Sequence, residues 1–269
     1  MKKLAKLLNL EGKTAVVTGG MGHLGRAMTE ALLELGANVV ISGREQKRGK
    51  KGEEIISLSE LFPKQKLKFA VLDFRKEESV ENFFDEVYKQ FGALDILVNN
   101  AMHCVSKPVE KMNLSEFNDG VTGTLSSIFQ CCKHVFPLMK ENNRGGSIVN
   151  IASMYGMVAP DWKIYAEIPA QNQPANYGAA KAGVIQLTRY LASCWARYGI
   201  RVNAVSPGPF PKPEVAQNTA FLQSLKEKTM LNRIGTPEDL KGVIALLASN
   251  ASAYITGQNF VVDGGWTAW

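Results

Sequence analysis

Seven short runs rich in β-branched residues recur along this 269-residue chain, with amphipathic stretches between them. TAVVT (14–18), NVVIS (38–42), LKFAVLD (67–73), LDILVNN (94–100), SIVNIAS (147–153), IRVNAVS (200–206) and QNFVVDGG (258–265) read as strands. Helical patterns lie around 24–35, 45–61, 77–91, 114–142, 177–198 and 237–248. The strands are apolar on both faces, as expected of a sheet covered on both sides. Their alternation with helices predicts an α/β architecture, a doubly wound, seven-stranded parallel sheet with helices on both faces. No linker, repeat or low-complexity segment interrupts the pattern, so residues 1–269 read as one domain. Two stretches break the rhythm, 159–176 and 207–228. Both follow strand ends, where open parallel sheets bind ligands, and loops this long are commonly functional. They are candidate substrate loops.

Composition narrows the functional classes. The net charge of +6, from 31 basic and 25 acidic residues, is mild, and the basic residues are scattered. Nucleic-acid binding wants a basic face with aromatics or a reading helix, and neither is evident, so no nucleic-acid partner is expected. No stretch approaches the length and apolarity of a membrane span. MKKLAKLLNL, interrupted by Lys6 and lacking a small-residue cleavage site, reads as a capping segment and not a signal peptide. Cys104, Cys131, Cys132 and Cys194 form no C-x-x-C pair, which fits free thiols in a reducing cytoplasm. His103 and His134 lack partners at ligand spacing, so no metal is expected.

Two motifs carry chemistry. VVTGGMGHLGR runs from the first strand into the first long helix, and Gly20, Gly22 and Gly25 match G-x-G-x-x-G in its required setting. Glycines there permit a tight turn and close backbone approach. The helix start then offers N–H groups and a positive dipole end to a pyrophosphate. An acidic residue about twenty positions on often holds a ribose hydroxyl in NAD sites. Here the second strand ends ISGRE, with Gly43 at that point and Arg44 after it. A guanidinium suits a 2′-phosphate, so NADP(H) is favoured, with NAD(H) left open by Glu45.

The second motif is NYGAAKAGV (176–184), which sets Tyr177 and Lys181 one turn apart on a helix face with only small residues between. A free tyrosine has a pKa of about 10. Unit charges about 4 Å apart interact by roughly 4 kcal/mol at an effective dielectric of about 20. A nearby ammonium could therefore bring the phenol down towards neutrality. Lys181 is expected to tune Tyr177 as general acid or base, and the small spacers to leave room for cofactor and substrate.

Together these features resemble the short-chain dehydrogenase/reductase family over nearly the whole length, from about residue 9 to 265. TGGMGHLG, NNA at 99–101, IASMYG, NYGAAKAG, RVNAVSPG and VDGG resemble its motifs in order and spacing. The resemblance implies a Rossmann fold, hydride transfer between an alcohol and a ketone, a small-molecule substrate and a homo-oligomer, dimer or tetramer. It also assigns residues. Gly19, Gly20, Gly22, His23, Leu24 and Gly25 make the phosphate turn. Asp73 and Phe74 approach the adenine, and Asn99 and Ala101 the adenine ribose. Pro207 and Gly208 line the nicotinamide, Lys181 bonds its ribose, and Ser153 holds the substrate oxygen.

Departures from the family pattern mark places to watch. His23 replaces a glycine, Met102 replaces the glycine of N-N-A-G, and Lys212 falls near a threonine position. Thr124 stands where relatives carry an asparagine that supports a proton relay, and is expected to serve with the catalytic group. Tyr177 lies 24 positions after Ser153, a gap commonly shorter in relatives. The inserted segment carries Asp161, Trp162 and Tyr165, suited to stacking on and hydrogen-bonding a polyol. That segment resembles reductases of surface-polysaccharide or flagellin modification, and the body of the chain resembles gluconate 5-dehydrogenases. A sugar-like or polyol substrate is therefore expected. A 3-oxoacyl-thioester reductase and a non-catalytic dinucleotide-binding module remain the alternatives.

Overall fold

A computed structural model, which describes residues 3–44, 50–141, 144–165 and 173–269, gathers the seven apolar runs into one sheet. In chain order the elements are α1 (Leu4–Leu8), β1 (Thr14–Thr18), α2 (Gly25–Glu34), β2 (Asn38–Gly43), α3 (Lys50–Leu61), β3 (Leu67–Val71), α4 (Glu77–Phe91), β4 (Ile96–Asn99), α5 (Leu114–Val121), α6 (Ser127–Glu141), β5 (Gly146–Ile151), α7 (Trp162–Tyr165), α8 (Ala175–Trp195), β6 (Ile200–Pro207), α9 (Thr219–Glu227), α10 (Lys241–Ala248) and β7 (Asn259–Val262). The strand order is β3-β2-β1-β4-β5-β6-β7 and every pairing is parallel. Strand order reverses between β1 and β4, which opens a crevice at their carboxyl ends.

Alternate strand residues feed opposite faces, and both faces are dry. Val16, Val40, Leu97, Ile148 and Val202 pack with Phe84, Val135 and Val184 on one side. Val17, Ile41, Val98, Val149 and Val205 pack with Leu32, Ile244 and Leu247 on the other. This two-sided burial explains why the strands read as continuous apolar runs. A third, smaller cluster stands off the sheet. It joins Met154 and Tyr155 to Tyr165, Phe221, Leu225 and Trp266.

The structure refines three sequence expectations. The 114–142 stretch is not one helix: five residues, Thr122–Ser126, form a π-helical turn between α5 and α6. The 207–228 stretch contains α9, capped by the Asn218 side chain, which accepts from Phe221 N at 3.0 Å. The 159–176 stretch contains α7 and the first residues of α8, while its residues 166–172 and the 45–49 portion of the second helical pattern fall outside the described residues. Among the described residues, no helix is long and apolar enough to cross a membrane.

Candidate active site

A cleft of about 480 Å³ lies over the carboxyl ends of β1, β4, β5 and β6. Its floor at one end is backbone. Gly19 adopts φ +65°, the left-handed region that glycine alone visits freely. A Cβ on Gly25 would sit 2.2 Å from the Gly19 carbonyl oxygen, and one on Gly20 would strike Ile41 Cγ2 at 2.3 Å. The turn can pass this tightly only without side chains. No side chain caps α2, so its leading N–H groups and dipole end face the cleft where Gly22, His23 and Leu24 line it. His23 Nε2 and Ser42 Oγ are buried there without a hydrogen-bond partner. An uncapped helix start, a glycine cradle and unsatisfied polar atoms fit the phosphates and ribose of a dinucleotide.

A hydrogen-bonded knot holds β1 against β4 beneath that floor. Thr18 Oγ1 accepts from the backbone N–H of Asn100 at 2.9 Å and of Ala101 at 3.0 Å. Asn100 Nδ2 donates back to the carbonyls of Thr18 and Gly19. The asparagine in the cleft is thus Asn100. The side chain of Asn99, expected at the adenine ribose, points the other way, as adjacent strand residues must. It is buried and donates to Asn150 Oδ1 at 2.9 Å. Gly20 and Gly25 shape the turn from behind and do not line the cleft; Gly19, Gly22, His23, Leu24, Arg44, Phe74, Ala101, Pro207 and Gly208 do. Asp73 is a turn residue: its carboxylate accepts from Arg75 N at 3.1 Å, and Arg75, unforeseen in the sequence, lines the cleft in its place.

Ser153, Tyr177 and Lys181 converge at the opposite end. Ser153 leaves β5 and opens a short turn, its Oγ accepting from Tyr155 N at 3.2 Å. The spacers between Tyr177 and Lys181 serve a purpose other than the one expected. A Cβ on Gly178 would meet Tyr155 O at 3.2 Å, and one on Gly156 would meet the Lys181 carbonyl carbon at 2.7 Å. Small residues let the Ser153 turn lie directly on α8, which brings the serine to the tyrosine. Thr124, expected beside that tyrosine, is instead wholly buried in the π-helical turn, where its hydroxyl donates to His103 O at 2.9 Å. It anchors the segment after β4, and its neighbour Gly123 lines the cleft. π-helical turns of this kind recur at functional sites.

The electrostatics also depart from expectation. Burial raises the Tyr177 pKa above its usual value, and the Ser153 hydrogen bond opposes that rise without overcoming it. The Lys181 ammonium lies 5.7 Å from the centre of the Tyr177 ring and donates to Ile151 O at 2.5 Å. Burial pulls the Lys181 pKa down to about 8. The phenol therefore holds its proton at neutral pH, and the amine titrates just above it.

A side pocket of about 390 Å³ shares Ser153, Tyr177, Gly208, Phe210 and Lys212 with the cleft. Tyr165 of α7 forms its far wall, hydroxyl to hydroxyl with Tyr155 at 2.5 Å, and the Gln173 side chain also reaches Tyr165. Of the other inserted side chains, Asp161 pairs with Lys228 at 3.4 Å and Trp162 is 55% exposed, so neither is positioned as Tyr165 is. Trp266 is buried in the cluster that also holds Tyr155 and Tyr165. His103 lines the cleft and pairs with Asp119 at 3.0 Å, which its place in the sequence gave no reason to foresee. Among the described residues no three His, Cys, Asp or Glu side chains gather as a metal site.

Residues 20–267 match the family model described as enoyl-(acyl carrier protein) reductase. The chain is 34% identical over 270 residues to an uncharacterized oxidoreductase, YxbG, of Bacillus subtilis, covering 97% of this chain and 93% of that one. It is 33% identical over 261 residues to the 3-oxoacyl-[acyl-carrier-protein] reductase FabG of Chlamydia muridarum, covering 95% and 98%. In structure it is similar to a gluconate 5-dehydrogenase from Burkholderia cenocepacia in complex with NADP and tartrate, with a TM-score of 0.86, 29% identity and coverage of 99% and 100%.

Proposed function

The chain belongs to the short-chain dehydrogenase/reductase family, and from that membership we propose that it is an NADP(H)-preferring oxidoreductase of a secondary alcohol or ketone on a sugar-like or polyol substrate. The observation that carries the reading is the meeting of Ser153, Tyr177 and Lys181 at one end of a cleft whose other end is a glycine cradle. A nicotinamide cofactor, when bound, supplies the hydride donor or acceptor. Gly19, Gly22, His23 and Leu24 would hold its phosphates.

The protein's own part is proton management. Burial keeps the Tyr177 hydroxyl neutral, so it serves in reduction as the acid that protonates the developing alkoxide. The Ser153 hydroxyl, within reach of Tyr177, would turn its one proton from the phenol to the same oxygen and stabilise its charge. Lys181, with a pKa of about 8, can return a proton to the phenolate. Arg44 and Arg75 line the cleft beyond the glycine turn, and no acidic residue does so among the described residues. That charge favours a 2′-phosphate over a bare ribose hydroxyl. The Tyr155–Tyr165–Gln173 group supplies polar contacts for a hydroxylated substrate. Four free cysteines support a reducing, cytoplasmic setting, and the family supports assembly as a dimer or tetramer.

Similarity to FabG favours a second reading, 3-oxoacyl-thioester reduction. Purified protein with NADPH or NADH, followed by nicotinamide absorbance against keto sugars, keto acids and acetoacetyl thioesters, separates the two. Turnover of thioesters alone rejects the sugar reading. Tyr177→Phe should lower kcat by roughly 10²–10⁴-fold with NADPH affinity nearly intact. Full activity in that variant defeats the assignment.

A further inference from the structure

We propose that the substrate is an anion, a small hydroxylated carboxylic acid or its keto form, and that Lys212 receives its carboxylate. The inference rests on the hydride-transfer reading of this site. Its starting point is the charge along the cleft and the side pocket. Among the described residues the fixed charges lining them are Arg44, Arg75, Lys181 and Lys212, and no Asp or Glu lines either. Such a basic enclosure with low-dielectric walls concentrates anions.

The four cations divide by place. Arg44 and Arg75 stand with Gly43 and Phe74 beyond the glycine turn, where dinucleotide phosphate is expected. Lys181 is buried against Ile151 O behind the tyrosine. Lys212 is different. It is exposed, makes no ion pair among the described residues, and lines both the cleft and the side pocket. Its charge reaches into the cleft, where it acts on the Cys104 thiol along with Lys181. Asp161, whose charge acts on the pocket tyrosines Tyr155 and Tyr165, is paired with Lys228 at 3.4 Å.

Among the described residues, the groups that line the side pocket besides Lys212 are uncharged. The Tyr155–Tyr165 pair and Gln173 line it together with Pro211, Val215, Phe221 and Leu225. A ligand with its reacting carbon at Ser153 and Tyr177 therefore shares its pocket with hydroxyl and amide partners and with the Lys212 ammonium. A neutral polyol uses the first and leaves the second idle. A hydroxylated carboxylate uses both, through a charge-assisted hydrogen bond at Lys212.

The test compares each keto acid with its own primary amide, in wild type and in Lys212→Met, with NADPH affinity measured alongside. We expect wild type to favour the acid by about tenfold or more in kcat/KM, a difference of about 1.4 kcal/mol, carried by KM and weakened by salt. Lys212→Met should collapse that preference to near parity, and Lys212→Arg should retain most of it. Equal handling of acid and amide by wild type, or a preference that survives in Lys212→Met, overturns the inference. So does Lys212→Met weakening NADPH and both substrates alike, because the lysine then serves the dinucleotide phosphates. Turnover of neutral ketones by a wild type that rejects the acids removes the anion and leaves the hydride-transfer reading standing. Cofactor binding with no turnover of any ketone or alcohol removes both.

Discussion

The two ends of the cleft are built from different material. The dinucleotide end is backbone: a left-handed glycine, an uncapped helix start and a knot of main-chain donors on Thr18 and Asn100. The substrate end is side chain: Ser153, Tyr177, Lys181, Lys212 and the Tyr155–Tyr165 pair, delivered by one helix, one short turn, an inserted segment and the loop after β6. A backbone site is rigid in what it tolerates, because an added atom strikes another backbone. A side-chain site can be retuned one residue at a time, because its supporting surfaces lie elsewhere. Substitutions at the first end should therefore damage fold and binding together, and those at the second should separate them.

Gly25→Ala is the sharpest test of that contrast. The new Cβ would lie 2.2 Å from Gly19 O and 2.8 Å from Asn100 Nδ2, so the turn or the knot must move. We expect a loss on the order of 4 kcal/mol, at the high end for single substitutions. Denaturant unfolding measures it, and NADPH affinity should fall in parallel. A Gly25→Ala protein with wild-type stability and affinity would erase the distinction between the two ends.

Lys181→Met should do the reverse, raising stability while abolishing turnover. The amine has a folded pKa of about 8 against 10.5 unburied. Because the folded value is the lower one, the charged form disfavours folding. That penalty is complete below pH 8 and fades as pH rises to about 10.5. The shift corresponds to roughly 3 kcal/mol, from which the lost hydrogen bond to Ile151 O subtracts about 1. A net gain of about 2 kcal/mol at pH 7, shrinking towards pH 10, is the expected result of thermal unfolding across pH. A variant less stable than wild type at pH 7 would show that the ammonium supports the fold.

The same division governs how much was legible in the chain. Seven strands and their parallel pairing followed from apolar runs and helical periodicity, because two-sided burial leaves a mark on every residue. The glycine turn was legible because only glycine fits its backbone. The π-helical turn was not, since TGTLS carries no periodicity that separates it from the α-helices on either side. Asn99 and Asn100 were exchanged because motif position says nothing about which face a strand residue takes. Arg75 went unnoticed because the turn made by Asp73 decides where it points. The pKa directions of Tyr177 and Lys181 depend on burial, which is not written in a four-residue spacing.

Tyr165→Phe gives the smallest effect and asks most about the inserted segment. Tyr165 is 5% exposed and its hydroxyl meets the Tyr155 hydroxyl and the Gln173 side-chain amide. Its removal leaves the Tyr155 hydroxyl, also buried, without that partner. The ring contact with Phe221 at 5.6 Å survives. We expect a stability loss of about 1 kcal/mol. The Tyr155→Phe, Tyr165→Phe double variant should lose less than the sum of the singles, since neither hydroxyl then stands alone. If the pair only supports the fold, KM for a hydroxylated ketone and for its deoxy analogue will move together. If the pair is a wall of the substrate pocket, KM will rise several-fold for the hydroxylated compound alone. The second outcome would place the inserted segment within substrate recognition, on the side-chain half of the cleft where the architecture leaves specificity free to vary.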